Sequence, residues 1–240
     1  MRGAVTVCHV DSIPVDVQLT WPPVFVFVSW TLGDRFFPQL YPEWPSLAYW
    51  AAGLVASVLL FSSLLAHEFG HAFVARWRGL SVFRVSLFFL GGMAEIDVDD
   101  GTPGDEFWMA LAGPAVSVLL AIGFCAIWLG TAAHHTYVGA IALYLGMSNG
   151  LLAAFNLLPG YPLDGGRILR SAFWQVSGDQ CRATRWAGWF GQGIGGAGLV
   201  AGLVWLTSGD IFVGFWFVAV GGFLILAARG ALPHSLVSPP

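Results

Sequence analysis

The sequence predicts an all-α membrane protein of six transmembrane helices, with a small amphipathic β-strand and re-entrant β-hairpin element at the cytoplasmic side. Three observations lead there. Of 240 residues, 57% are hydrophobic and only 10% charged, with a mean hydropathy of +0.72; an ordinary soluble domain is about 25% charged. Six stretches lack Asp, Glu and Arg over most of the roughly 20 residues that a spanning helix needs: Val17–Gly33, Trp44–Ala66, Phe107–Ala133, Thr136–Leu163, Trp186–Gly209 and the shorter Ile211–Ala228. The chain has no Lys, and nine of its ten Arg fall in alternate loops or at the ends. This composition excludes a disordered chain, a soluble globule and a nucleic-acid binder built on basic patches. Cys8, Cys125 and Cys181 are scattered, which fits inert thiols rather than a disulfide framework or a metal-binding Cys pair.

The elements follow in order. Ile13, Val15, Val17 and Leu19 alternate with Pro14, Asp16, Gln18 and Thr20, a period of two that reads as a strand on the membrane surface. Asp11, Pro14 and Asp16 interrupt any apolar core before it, so the N-terminus is not expected to be a cleaved signal peptide. The first span contains Pro22-Pro23 and is short. After the second span, Val85 and Leu87 alternate with Arg84 and Ser86. Beyond Gly91-Gly92, Ala94, Ile96 and Val98 alternate with Glu95 and Asp97. Two alternating runs around a Gly pair read as a hairpin over Arg84–Val98. Its apolar middle, Leu87–Gly92, can dip into lipid if its backbone is paired. Arg2, Arg76, Arg78, Arg84, Arg167, Arg170, Arg182, Arg185 and Arg229 stand on one side and Arg35 on the other. The positive-inside rule then places both termini in the cytoplasm, consistent with six crossings.

His67-Glu68-Phe69-Gly70-His71 stands at the cytoplasmic end of the second span. Histidines at i and i+4 share one helical face and can share one metal ion. The neighbouring carboxylate can take a proton from water activated by that ion. Ionisable groups inside a span are costly, which favours a functional reading. A catalytic zinc usually takes three protein ligands and keeps one position open. His134 and His135 lie in an outer loop, a membrane thickness away. Asp164 is the best third ligand: it sits in the stretch from Asn156 to Arg167, NLLPGYPLDGGR, which ends the fourth span at the same depth as His67. Pro159 and Pro162 break the helix there, and Gly165-Gly166 permit close backbone approach. Asn156 lies in an apolar span, either as a donor to a substrate carbonyl or as an interhelical hydrogen-bonding group.

Three other patterns have simpler readings. Gly146-Met-Ser148-Asn-Gly150 matches G-x-S-x-G, but it sits inside a span, not at a strand-to-helix turn. Gly191, Gly193 and Gly196 fit G-x-G-x-x-G, yet no strand precedes them. Both are expected to be small-residue faces for helix packing. The acidic run Asp97, Asp99, Asp100, Asp105 and Glu106 lacks the ligand spacing of a calcium site and is expected to be a solvated face.

HEFGH in one span, Gly-Gly in the next hairpin, Ala112-Gly113-Pro114 in the following span and then NLLPGYPLDGGR resembles the site-2 protease family of intramembrane zinc metalloproteases. The match runs from about Ile13 to Arg170. The resemblance implies one zinc ion held by His67, His71 and Asp164, with Glu68 as general base and acid and Asn156 polarising the scissile carbonyl. It implies cleavage of a transmembrane protein within or near its membrane segment, and no nucleic-acid partner. The expected organisation is a single transmembrane protease domain over 1–240. Its catalytic core covers about 44–167, with flanking helices at about 17–33, 186–209 and 211–228. Neither a CBS nor a PDZ module is recognisable. The alternative is a non-hydrolytic zinc-binding membrane protein or metal transporter. Under the protease reading, Ser148→Ala leaves proteolytic turnover at the wild-type rate; a large loss would revive the serine nucleophile.

Overall fold

The computed structural model describes residues 4–89, 91–97, 101–131 and 136–230. His134, His135, Val98, Asp99 and Asp100 lie outside the described residues. The chain forms two compact units, one of Met1–Asp100 with Ala112–Ala154 and one of Gly101–Leu111 with Phe155–Pro240.

The first unit begins with a hairpin, β1 (Ala4–Val10) and β2 (Ile13–Gln18), joined by Asp11-Ser12. Both turn residues have positive φ, 48° and 65°, the mirror-image turn whose twist suits a two-residue hairpin. β3 (Val82–Phe88) and β4 (Gly91–Ile96) form the expected second hairpin. The two hairpins join through a parallel β2–β3 pairing, so the sheet order is β1-β2-β3-β4. β1 and the parallel pairing go beyond the sequence reading; a non-local register is set by distant partners, not by local alternation. One face packs Ile13 and Val85 on Ala72, with Phe69 beside them. On the other, Asp16 accepts from Thr6 Oγ1 at 2.7 Å, and Arg84 pairs with Asp16 at 3.4 Å and Glu95 at 2.8 Å.

The expected first span is resolved differently. It comprises α1 (Trp21–Thr31), a π-helical segment Leu32–Phe36 and α2 (Phe37–Leu40). Eleven residues of α1 rise only about 16 Å. Gly33 and Gly53 explain the close fit here: a Cβ on Gly53 would lie 2.8 Å from Ser29 O and 3.0 Å from Gly33 N. Leu32 and Phe37 then pack with Ala52, Ala56 and Ala140. Among the described residues, five helices are long and apolar enough to cross a membrane. They are α3 (Ser46–Trp77), α4 (Pro103–Thr131), α5 (Tyr137–Asn156), α7 (Gln180–Thr207) and α8 (Ile211–Gly230). α3 has 32 residues, about 48 Å, and continues three turns past the expected end at Ala66. The G-x-S-x-G string lies within α5, where a Cβ on Gly146 would meet Cys125 Sγ at 2.8 Å.

In the second unit, α4 starts with a capping box. Thr102 Oγ1 accepts from Asp105 N at 3.2 Å, and Asp105 Oδ2 accepts from Thr102 N at 2.9 Å. Pro103 occupies the first helical position, where its missing N–H costs nothing. The expected fourth span ends early, at Asn156, and a turn leads into α6 (Asp164–Ser177). α6 is amphipathic and charged, so its Arg residues read as loop signals in the sequence. Gly178 closes it at φ 67°, and Asp179 caps α7 by accepting from Arg182 N at 3.0 Å. α7 and α8 pack backbone to backbone. A Cβ on Gly202 would lie 2.8 Å from Gly214 O, and one on Gly195 2.7 Å from Gly221 O. The expected solvated acidic face is not what forms around Asp105 and Glu106: the first caps a helix, and the second is buried.

Gly202→Ala should lower the thermal midpoint in detergent, by an overpacking cost of about 1–3 kcal/mol. Gly222→Ala, where a Cβ meets nothing within 4 Å, should be neutral or stabilising because Ala is the better helix former. Equal midpoints for both variants would show that the α7–α8 contact is loose.

Candidate metal centre

The site grows from the helical repeat of α3. His67 and His71 are one turn apart, 2% and 4% exposed, and their Nε2 atoms stand 3.3 Å apart. Two ligands about 2.0–2.1 Å from a tetrahedral zinc are separated by roughly 3.3–3.4 Å, so the spacing suits a shared ion. His67 Nδ1 lies 2.8 Å from Ser117 Oγ. With Nδ1 protonated, the ring donates to Ser117 and leaves the Nε2 lone pair for a metal, the usual way an outer partner selects the ligating tautomer.

Ser117 belongs to α4, as does Gly113 one turn earlier. A Cβ on Gly113 would sit 2.2 Å from His71 Nε2 and 2.7 Å from His67 Nε2. The missing side chain therefore keeps open the space in front of both nitrogens, the cradle an ion needs. Gly70 brings the same two helices close, since its Cβ would meet Ala112 O at 3.0 Å. The structure thus adds Ser117 and Gly113 to the site. Ser117 left no motif in the sequence beyond lying four residues after Gly113, on the same helical face.

Glu68 is 8% exposed and lies against the β4 backbone: a Cβ on Gly92 would be 2.4 Å from its Cγ and 2.9 Å from Oε1. The hairpin Gly pair thus has a steric reason, and it brings an edge strand beside the carboxylate.

Asp164 and Asn156 belong to the second unit. Asp164 is buried, 9% exposed, and is the first residue of α6. The turn before it is packed on backbone. A Cβ on Gly165 would be 2.3 Å from Leu157 O, and one on Gly166 2.1 Å from Tyr161 N. Only glycines allow α6 to start there, which accounts for the Asp-Gly-Gly sequence. Tyr161 N also donates to Ala187 O of α7 at 3.2 Å. Asn156 is the half-buried last residue of α5.

Gly113→Ala should cost the purified protein its tightly bound metal, read by elemental analysis, with helical circular dichroism retained. Wild-type metal content in that variant would rule out the cradle.

The profile of peptidase family M50 matches residues 55–132 and 123–189, more than half of the chain. The chain is 37% identical over 240 residues to sll0528 of Synechocystis sp., named as a candidate zinc metalloprotease, covering 99% of this chain and 62% of that protein. It is 36% identical over 231 residues to Rip3 of Mycobacterium tuberculosis, also named as a candidate zinc metalloprotease, covering 95% of this chain and 58% of that one. The chain therefore spans less than two thirds of the length of these curated relatives. The solved structure of a site-2 protease from Methanocaldococcus jannaschii shares the fold, with a TM-score of 0.63 at 23% identity over 99% of both chains. With its paired imidazoles, glycine cradle and adjacent buried carboxylate, the chain belongs to peptidase family M50, the family of the site-2 proteases.

Proposed function

We propose that this chain is an intramembrane zinc metalloprotease that hydrolyses a peptide bond within or near the transmembrane segment of a membrane protein. The observation that carries the reading is the convergence of two buried Nε2 atoms at 3.3 Å, with a buried carboxylate at the next position in sequence. His67, His71 and Asp164 hold one zinc ion; all three are buried and each offers one ligand atom. Two imidazoles and one carboxylate leave a fourth position open, the donor set of a catalytic rather than a structural zinc. When bound, zinc supplies an acidified water and polarises a carbonyl oxygen.

The chain's residues do the rest. Glu68 takes the proton of the attacking water and delivers it to the leaving amide nitrogen, so that the C–N bond breaks with a neutral amine departing. Its burial keeps competing water from that carboxylate. Asn156 donates its side-chain N–H to the carbonyl oxygen as charge builds there. A helix hides its own amides, so a substrate must unwind before it is cut, and extended backbone in lipid needs new partners. β4 is an edge strand beside Glu68, suited to receive it by strand addition. The helical run Trp21–Leu40 makes the sixth crossing, interrupted by its π-helical segment. Both termini face the cytoplasm, as the Arg distribution favours. The whole chain acts as one transmembrane protease domain in the lipid bilayer.

The test uses protein purified in detergent and a single-span membrane substrate. Glu68→Gln should retain zinc and lose about 10²–10⁴ in kcat, the usual contribution of a general acid–base group. Asp164→Ala should lose zinc. Cleavage by Glu68→Gln at the wild-type rate would defeat the protease reading and favour metal binding or transport without hydrolysis. In a second assay, replacing helix-weakening residues around the cut site of the substrate with Leu should slow cleavage. Unchanged rates would show that unwinding does not limit the reaction.

A further inference from the structure

The proposed chemistry leaves a buried ion pair in the second unit without a task. Glu106, in the first turn of α4, is 2% exposed. Its Oε1 accepts from Arg170 Nε at 2.7 Å, and Arg170 Nη2 closes on the same oxygen. Arg167 Nε stands 3.9 Å from that oxygen. The Arg170 guanidinium also lies over the Tyr161 ring, 5.6 Å from its centroid. A buried ion pair is weak evidence for stability, because desolvation offsets much of the attraction. What it does supply is direction: a guanidinium bonded through Nε and Nη2 to one carboxylate oxygen and lying over an aromatic ring has less freedom than a solvated one.

Arg167 and Arg170 are three and six residues after Asp164 on the same helix. α6 is thus gripped twice. Its first turn is held by the Gly165 and Gly166 backbone contacts, and its second by Glu106 and Tyr161. A 14-residue helix held at both points resists rolling and sliding, and Asp164 is its leading residue. The α4 capping box between Thr102 and Asp105 in turn fixes where Glu106 stands.

We propose that Glu106, through its buried ion pair with Arg170, is a positioning residue that sets the roll and depth of α6 and so aims the Asp164 carboxylate. It touches neither metal nor substrate. The inference rests on the proposal that Asp164 ligates zinc.

Three readouts test it with the full chain in detergent. In metal-free protein, Glu106→Gln should speed amide exchange at Ile168–Ser171, because the grip on α6 is lost. In the zinc-loaded protein, Glu106→Gln and Arg170→Gln should each weaken zinc affinity by about 10–100-fold, the usual effect of losing an outer partner of a ligand. kcat should fall with KM unchanged. Arg170→Lys, which keeps the charge but not the fork, should restore part of the affinity and serves if the neutral variants fold poorly. Gly202→Ala provides the stability control: it should leave zinc affinity at the wild-type value. Unchanged exchange in α6, wild-type zinc affinity in Glu106→Gln, or equal loosening of zinc by Gly202→Ala would overturn the proposal. Failure of the metal reading itself would look different: His67→Ala would then hold zinc as tightly as the wild type.

Discussion

Two imidazoles one helical turn apart, facing each other in a water-poor interior, impose the constraint on which the rest of the first unit depends. Their Nε2 atoms stand 3.3 Å apart, the separation of two ligands on one tetrahedral zinc ion. The surrounding residues are shaped for this: Ser117 Oγ stands 2.8 Å from His67 Nδ1, Gly113 leaves the space in front of both nitrogens, and Gly70 lets α4 approach α3. Any side chain at Gly113 would fill the space an ion needs.

The same logic of close approach through missing side chains recurs in the second unit, for a different purpose. Gly165 and Gly166 let α6 begin directly on the backbone of residues 157–161. Gly191 continues the contact into α7, since a Cβ there would overlap Tyr161 O. In lipid there is no hydrophobic drive to bring helices together, so tight backbone packing has to supply the attraction. Glycine is therefore structural here in helices where it would be a liability in water. Charge is used sparingly, and among the described residues several charges pair, as with Asp16, Arg84 and Glu95 on the sheet and Glu106 with Arg170 in the second unit.

Much of this was legible in the sequence, for identifiable reasons. Five spans could be read because an apolar run of about 20 residues suits a bilayer crossing and little else. The paired histidines could be read because i and i+4 on a helix leave no freedom about which face they share. The hairpin Gly pair and the strand at Ile13 followed from period-two alternation. Other features were not legible. β1 and the parallel β2–β3 pairing are long-range choices that local alternation does not specify. The π-helical segment at Leu32–Phe36 lies where Gly33 fits tightly against Trp50 of α3, a contact that local pattern does not announce. α6 carries its charges for interior pairing, so a reading that assigns charge to loops passes over it. Glu106 reads as part of a solvated face for the same reason: sequence shows a charge but not its partner sixty-four residues away.

The proposed metal site can be tested without any substrate. X-ray absorption at the zinc edge of the purified, detergent-solubilised chain reports the ligand types and distances directly. Two imidazoles from His67 and His71 and a carboxylate oxygen from Asp164 predict a nitrogen and oxygen shell at about 2.0–2.1 Å with the multiple scattering of two rings. Asp164→Ala should lose an oxygen scatterer or the ion itself, and His71→Ala should lose a ring. A sulfur shell at about 2.3 Å, or a spectrum with no imidazole signature that neither substitution alters, would contradict a site built on this helical pair.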